Sequence, residues 1–372
     1  MEASLYIHIP FCARKCAYCD FYSRAVEQSA PEIDRYLAWL YEEIVRQLEG
    51  FHITRVPTVY IGGGSPSFIG ARRLEALFKF LAAVLPGKPD EMTIEVNPES
   101  VDDDLLAACA AGGIQRLSAG IQTFNGASRA ALGRPGGASE LHARLRPLAA
   151  GGFDISFDLM TALPYQNDAV LAADIESALI YHPVHISLYD LCVEAGTPLA
   201  DPSYQHRDAL HSPEDAASLW IKGRDMLEKA GYHQYEVSNF ALPGKESRHN
   251  TRYWRMYNWL GVGTTASGTL IDDNTGSGVR YADGAEEMLS RTTLIQETLM
   301  MGFRTLEGPD AELFMQRFQT DITDVIPQTL AAWRKQGLLS ATKTALTRNG
   351  LLVLNKFLAD CFTELDASLM LQ

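Results

Sequence analysis

The sequence is short of several things, and each shortage excludes something. It has no run of basic residues, and its 32 lysines and arginines are outnumbered by 46 aspartates and glutamates, giving a formal charge of −14. A nucleic-acid binder carries a basic patch, so no nucleic-acid partner is expected. No apolar stretch approaches the roughly 20 residues of a membrane span. The N-terminus lacks the basic flank, apolar segment and small-residue cleavage site of a secretory signal. The expected location is cytoplasmic, with a role at a membrane surface left open. There is no low-complexity tract and no sustained heptad. Cysteine is scarce, six in 372 residues, and in so long a chain without a secretion signal that argues against a disulfide framework.

Three of those six cysteines lie within eight residues. Cys12, Cys16 and Cys19 follow the apolar run Tyr6-Ile-His-Ile-Pro-Phe with the spacing C-x3-C-x2-C. Cys109, Cys192 and Cys361 stand alone and read as small buried hydrophobes.

Around the cluster, short β-patterned runs alternate with segments of helical spacing. Strands are expected at Ser4, Val56, Met92, Arg116, Phe153 and Val184. Helices are expected over 31–48, 72–84, 102–111, 128–132, 139–150, 170–180 and 213–230. Six such repeats with parallel crossovers imply an α/β barrel, complete or partial. Chemistry in these barrels sits at the C-terminal ends of the strands. Beyond about residue 270 the rhythm changes to turn-rich sequence (Asp272 to Gly278) and then helices over 286–302, 311–318, 326–336 and 350–361, with a small wing near Leu338–Thr347. The expected division is a barrel domain, 1–270, and a smaller, mostly helical C-terminal domain, 271–372.

Cysteine metal sites usually have four protein ligands. Here no fourth cysteine is near. A four-iron cluster on three thiolates leaves one iron without a protein ligand, open to a small molecule, as catalytic zinc keeps an open position. A Cys3His zinc site completed by His8 is the competing reading. The strand ends add a consistent set: Gly62-Gly-Gly-Ser-Pro after the second strand, Glu95 on the third, Gln122 on the fourth, Asp158 in the fifth and Tyr189 on the sixth. Glycines at such a place let the backbone approach a ligand closely.

The cysteine spacing, with Tyr18 before the last thiol, resembles the radical S-adenosylmethionine (SAM) superfamily. Tyr6-Ile-His-Ile-Pro-Phe-Cys12, Gly62-Gly-Gly-Ser-Pro-Ser67, Glu95-Val-Asn-Pro98, Gly120-Ile-Gln-Thr-Phe124 and Tyr235-Glu-Val-Ser-Asn-Phe-Ala241 resemble its oxygen-independent coproporphyrinogen III oxidase branch, on the haem-chaperone side. The resemblance implies a partial (β/α)6 barrel with a [4Fe–4S] cluster on Cys12, Cys16 and Cys19, and SAM on the open iron. It implies that Tyr6 and the backbone near Tyr18 flank the cluster and adenine. Gly63, Gly64, Ser65 and Glu95 would meet the amino end of SAM, Arg134 its carboxylate, Gln122 and Asp158 its ribose, and Met160 its adenine. Reductive cleavage of SAM is the chemistry that the superfamily's enzymes draw from this pair.

Phe21 stands where the oxidases carry a further cysteine, and His249-Asn-x-x-Tyr253-Trp254 matches the chaperone group. Both favour haem as the cargo, His249 as a candidate haem ligand, and haem-accepting proteins at the membrane as partners. Two stretches depart from the relatives. Thr161-Ala-Leu-Pro replaces a Gly-Leu-Pro, and Thr264-Thr-Ala-Ser-Gly lacks the histidine of the corresponding loop. Two other functions stay open on sequence: an active radical SAM enzyme, either an oxidase of this branch or a related methyltransferase, and a zinc-binding structural barrel.

Overall fold

The structure, a computed structural model, describes residues 1–369. The chain forms two compact units. The first comprises Met1–His233, Ser238–Glu246 and Val262–Ala266; the second comprises Gln234–Val237, Ser247–Gly261 and the chain from Ser267. The division is not a single cut at residue 270: two earlier segments, one of them holding His249, Tyr253 and Trp254, belong to the second unit.

In the first unit, among the described residues, six parallel strands follow one another in chain order: β1 (Ser4–Ile9), β2 (Thr58–Gly63), β3 (Glu91–Val96), β4 (Arg116–Gln122), β5 (Asp154–Thr161) and β6 (His185–Asp190). Neighbours pair in parallel throughout. On its far side β6 takes β7 (Asn239–Ala241) as an antiparallel partner instead of closing onto β1. Parallel neighbours need a crossover, and helices supply it: α1 (Pro31–Gly50), α2 (Ala71–Val84), α3 (Asp103–Ala111), α4 (Gly126–Ala131), α5 (Ala138–Ala150), α6 (Asp168–Leu179) and α7 (Pro213–Lys229). Their starts are written in the sequence. Pro31 opens α1, and Asp102, Asn125, Asn167 and Ser212 cap the helices that follow them.

Side chains alternate between the faces of a strand, and the register keeps like with like. Leu5 lies opposite Val59, Ile61 opposite Ile94, Leu117 opposite Ile155, and Phe157 opposite Ile186. The other face pairs Tyr60 with Thr93, Glu95 with Ser118, and Ser156 with His185. That polar face is bonded to itself across strands: Thr58 donates to Ser4 at 2.9 Å, Tyr60 to Glu95 at 2.9 Å, and Ser156 lies 2.7 Å from His185 Nδ1. Interiors of closed (β/α)8 barrels are filled by branched apolar residues. Here that face carries mostly polar side chains.

The second unit holds an antiparallel meander, β8 (Ser267–Asp272), β9 (Ser277–Ala282) and β10 (Ala285–Leu289), and helices α8 (Arg248–Trp254), α9 (Arg291–Gly302), α10 (Ala311–Phe318), α11 (Pro327–Lys335) and α12 (Leu354–Leu369). Its core stacks aromatics, with Phe303 and Trp333 both edge-on to Phe357 at 4.5 and 5.0 Å. Two expectations are corrected. Residues 286–289 are strand, not helix, because Asp283-Gly284, both at positive φ, turns β9 directly into β10. The last helix begins later than residue 350, after a separate single turn, Arg348–Leu351. The small wing is a lone bridge between Leu339 and Leu346. Among the described residues, no helix is long and apolar enough to cross a membrane.

Candidate cofactor site at the strand ends

The site begins where β1 ends. Phe11–Cys12 pairs with Arg24–Ala25, which closes residues 13–23 into a loop carrying Cys16 and Cys19 with Cys12 at its base, all three half-buried. The loop is pinned by Ala17, whose N–H donates to the Leu132 carbonyl and whose carbonyl accepts from Leu199, both at 2.9 Å. Burial pushes the Cys12 thiol up to about 11; the charges of Cys19 and Cys16 push the same way, against the Ser23 hydrogen bond and Arg134. Burial raises Cys19 as well, and Cys16 adds to it. The raised Cys12 and Cys19 thiols need a cation beside them to become thiolates at neutral pH, and three clustered thiolates are the donor chemistry of an iron–sulfur cluster.

The glycine loop after β2 docks onto this end of β1. Gly64 N–H donates to Ile9 and Ser65 N–H to Phe11, each at 2.9 Å. A Cβ on Gly64 would lie 2.7 Å from Cys12 Sγ, and Gly63, at φ 125°, would press one to 2.8 Å from the Ile9 carbonyl. Glycine is required at both positions for the loop to sit against the cysteines.

The zinc reading fits less well. His8 has Nδ1 3.0 Å from the Tyr6 hydroxyl and Nε2 3.0 Å from the Tyr22 carbonyl, so neither ring nitrogen is turned to the thiols. Among the described residues no three His, Cys, Asp or Glu side chains are gathered tightly enough to hold one ion. A cluster of four irons asks for a wider cage than a single ion does.

Beside Cys16 opens a cavity of about 210 Å3, with Ser65, Phe68, Asn97, Glu99 and Arg134 in its walls. Arg134 is buried. Its Nη2 donates to Gly120 O at 2.8 Å and to Asn97 Oδ1, its Nη1 lies 3.5 Å from the Tyr18 hydroxyl, and its Nε has no partner. Burial works against the Arg134 charge, but Tyr18, Cys16 and Glu99 outweigh it and the guanidinium is held above its ordinary value. An unpartnered donor on a firmly charged guanidinium is what a ligand carboxylate requires.

Glu95 accepts from Tyr60 and, at 3.1 Å, from the Gly63 N–H. Burial pushes its carboxyl up to about 7, with the Asp158 charge adding to it. Asp158, reached by Ser118 at 3.4 Å, is pushed by burial up to about 6. The Arg134 charge reaches Asp158, but among the described residues neither carboxyl forms an ion pair, and an ammonium-bearing ligand would supply a cation to both. Gln122 ends β4 at φ 66°, across from Leu159 where the ladder slips by one residue. Met160 is buried against Leu132 and Leu163, with Tyr18 packed alongside. Tyr6 stacks on Tyr60 at 6.2 Å. Phe21 is 70% exposed, just past Cys19. The divergent segment after Gly263 is tied to β1 through Tyr36, which donates to His8 O at 2.8 Å and accepts from Thr264 N–H at 3.1 Å.

His249 lies in the second unit, not the first. Its ring is buried, edge-on to Tyr253 at 4.7 Å, with Nε2 2.9 Å from that hydroxyl. Burial, helped by the Arg252 charge, pushes its pKa down to about 3. Trp254 lies under the Arg304 guanidinium at 4.7 Å. Cys109 and Cys361 are buried as expected, whereas Cys192 is exposed and corrects that expectation.

Sequence reading missed Arg129. It is fully buried and donates to four carbonyls, those of Ile121, Thr123, Pro135 and Gly136, and to Glu99 Oε1 at 2.6 Å. It thereby fixes the loop that presents Arg134. A lone arginine in the alanine-rich Gly126–Ala131 stretch was the only signal of it.

The profile of the radical SAM superfamily matches residues 6–178, and that of the HemN C-terminal domain residues 289–353. The heme chaperone HemW of Lactococcus lactis is 34% identical, with 96% of this chain and 97% of that protein aligned. HemW of Bacillus subtilis is 31% identical over 97% and 100%. Among solved structures, the coproporphyrinogen III oxidase HemN of Escherichia coli, described as a radical SAM enzyme, superposes with a TM-score of 0.81 at 22% identity, covering 97% of this chain and 90% of that one; it shares the fold. The chain is a radical SAM protein of the HemN-like branch and belongs to the HemW family of haem chaperones.

Proposed function

We propose that this chain holds a [4Fe–4S] cluster on Cys12, Cys16 and Cys19, binds SAM in the adjoining cavity, and carries haem for delivery to haem-accepting proteins at the membrane. The observation that carries the reading is the junction of three clustered thiols with a cavity walled by Cys16, Ser65 and Arg134. When bound, the cluster supplies an electron and an open iron position to SAM. The chain's own residues do the rest. Gly63 and Gly64 bring backbone close to the amino end, and Glu95 offers it a carboxylate. Arg134 Nε meets the carboxylate, Gln122 and Asp158 meet the ribose, and Met160 with Tyr18 packs against the adenine.

For haem, the reading assigns His249 as the iron ligand. Its imidazole, pushed down to about 3, is neutral at physiological pH, the form that binds metal. Ligation asks the Tyr253 hydroxyl to release Nε2.

The test is anaerobic reconstitution followed by haem titration and incubation with coproporphyrinogen III, SAM and dithionite. The chaperone reading expects a Soret band and no decarboxylated product. It also expects a weakened or shifted band in His249→Ala and haem uptake at least as strong in Tyr253→Phe. Robust decarboxylation would overturn it in favour of a radical enzyme.

A further inference from the structure

Gln122 and Met160 stand at the C-terminal ends of β4 and β5, and the chain leaves both strands in strained backbone. Gln122 has φ 66°, Ala162 φ 58° and Tyr165 φ 64°. Non-glycine residues stay in the left-handed region only where surrounding structure holds them there. What holds these is a buried polar link. Asp174, on α6, accepts from Thr123 Oγ1 and from Phe124 N–H, both at 2.7 Å, and from Gln166 Nε2 at 3.2 Å. Gln166 reaches on to the Met160 carbonyl with the same Nε2, at 3.1 Å, while its Oε1 lies 3.4 Å from Leu163 N–H. Ser128 adds a second tie, donating to the Pro164 carbonyl at 2.7 Å. Asp174, Gln166, Thr123 and Ser128 are all buried.

We infer that Asp174 and Gln166 are positioning residues for the nucleoside end of the SAM site: they lock the strained exits of β4 and β5 together and so set where Gln122 and Met160 stand. The inference rests on the SAM reading above. The link is one device because a single carboxylate fixes the backbone just past Gln122 and, through Gln166, the carbonyl of Met160 itself. Neither residue touches the cavity beside Cys16, so each would act on SAM through others. Asp174 spends its oxygens on one N–H, one hydroxyl and one amide NH2, so an amide in its place must turn its own NH2 toward one of those donors.

The experiment measures SAM affinity by equilibrium dialysis on anaerobically reconstituted full-length protein, with iron content and thermal unfolding as controls. The parent chain must first bind SAM; if it does not, the SAM reading falls and not the clamp. Given parental binding, Asp174→Asn and Gln166→Ala are expected to weaken SAM about tenfold, the order of one lost charge-assisted hydrogen bond, with iron content unchanged. The decisive variant is Ala162→Gly placed on each. Glycine takes positive φ without strain, so the exit of β5 is relieved at residue 162 while Gln122 and Tyr165 stay at positive φ, and part of the lost affinity is expected to return. A general loss of structure would not be repaired at Ala162. Parental SAM affinity in both single variants, or no recovery in the doubles, would overturn the inference.

Discussion

At the scale of single residues, carboxyls buried with hydrogen-bond donors but no ion-pair partner set the electrostatics of the site. Glu95 is ordinary by sequence, but its carboxyl rises from 4.5 to about 7 in a buried place beside Asp158. A carboxyl raised in the folded state stabilises while protonated, and that contribution is lost as pH rises through the window from about 4.5 to about 7. The stability of cofactor-free protein is therefore expected to fall from pH 5 to pH 8 more steeply in the parent than in Glu95→Gln. Chemical unfolding at the two pH values checks it, and parallel pH profiles would show that the carboxyl is not raised. Cys12, Cys16 and Cys19 were legible in sequence because their spacing is tied to metal chemistry, whereas Glu95 and Asp158 stood out only by their place on the strands and by resemblance. Arg129 was not. What makes it matter is four backbone carbonyls that converge only in the fold.

At the scale of elements, the six strands and their crossover helices were legible because period-2 and 3.6-residue patterns, proline starts and capping residues agree along the chain. Where a local signal was underweighted, the reading failed. Asp283-Gly284 is a two-residue hairpin turn, and reading past it gave a helix where β10 pairs with β9 in register from Ala282–Ala285 to Gly278–Leu289. Gly284 stands at φ 81°, so Gly284→Ala is expected to cost about 1 kcal/mol, read by urea unfolding. Its SAM affinity should be unchanged, since the turn lies in the second unit. An unaltered stability would mean that the turn relaxes freely.

At the scale of the whole molecule, the first unit's parallel strands place cysteines, glycines and carboxylates at one set of ends, and the polar face beneath them is bonded to itself. The domain division was less legible. Residues 234–237 and 247–261 pass into the second unit as short excursions of the chain, too brief for a shift in composition to mark them. That matters for function because the motif with His249 then belongs to a different unit from the three cysteines. The central claim, that these cysteines hold a cluster with a position open to SAM, is tested most directly by anaerobic reconstitution of the parent and of Cys16→Ala, with iron and sulfide analysis and electron paramagnetic resonance of the reduced protein before and after SAM. The account predicts the iron and sulfide of a [4Fe–4S] cluster in the parent, a spectrum that shifts when SAM is added, and loss of both in Cys16→Ala. Stoichiometric zinc in place of iron, or a cluster spectrum that SAM leaves unmoved, would contradict it.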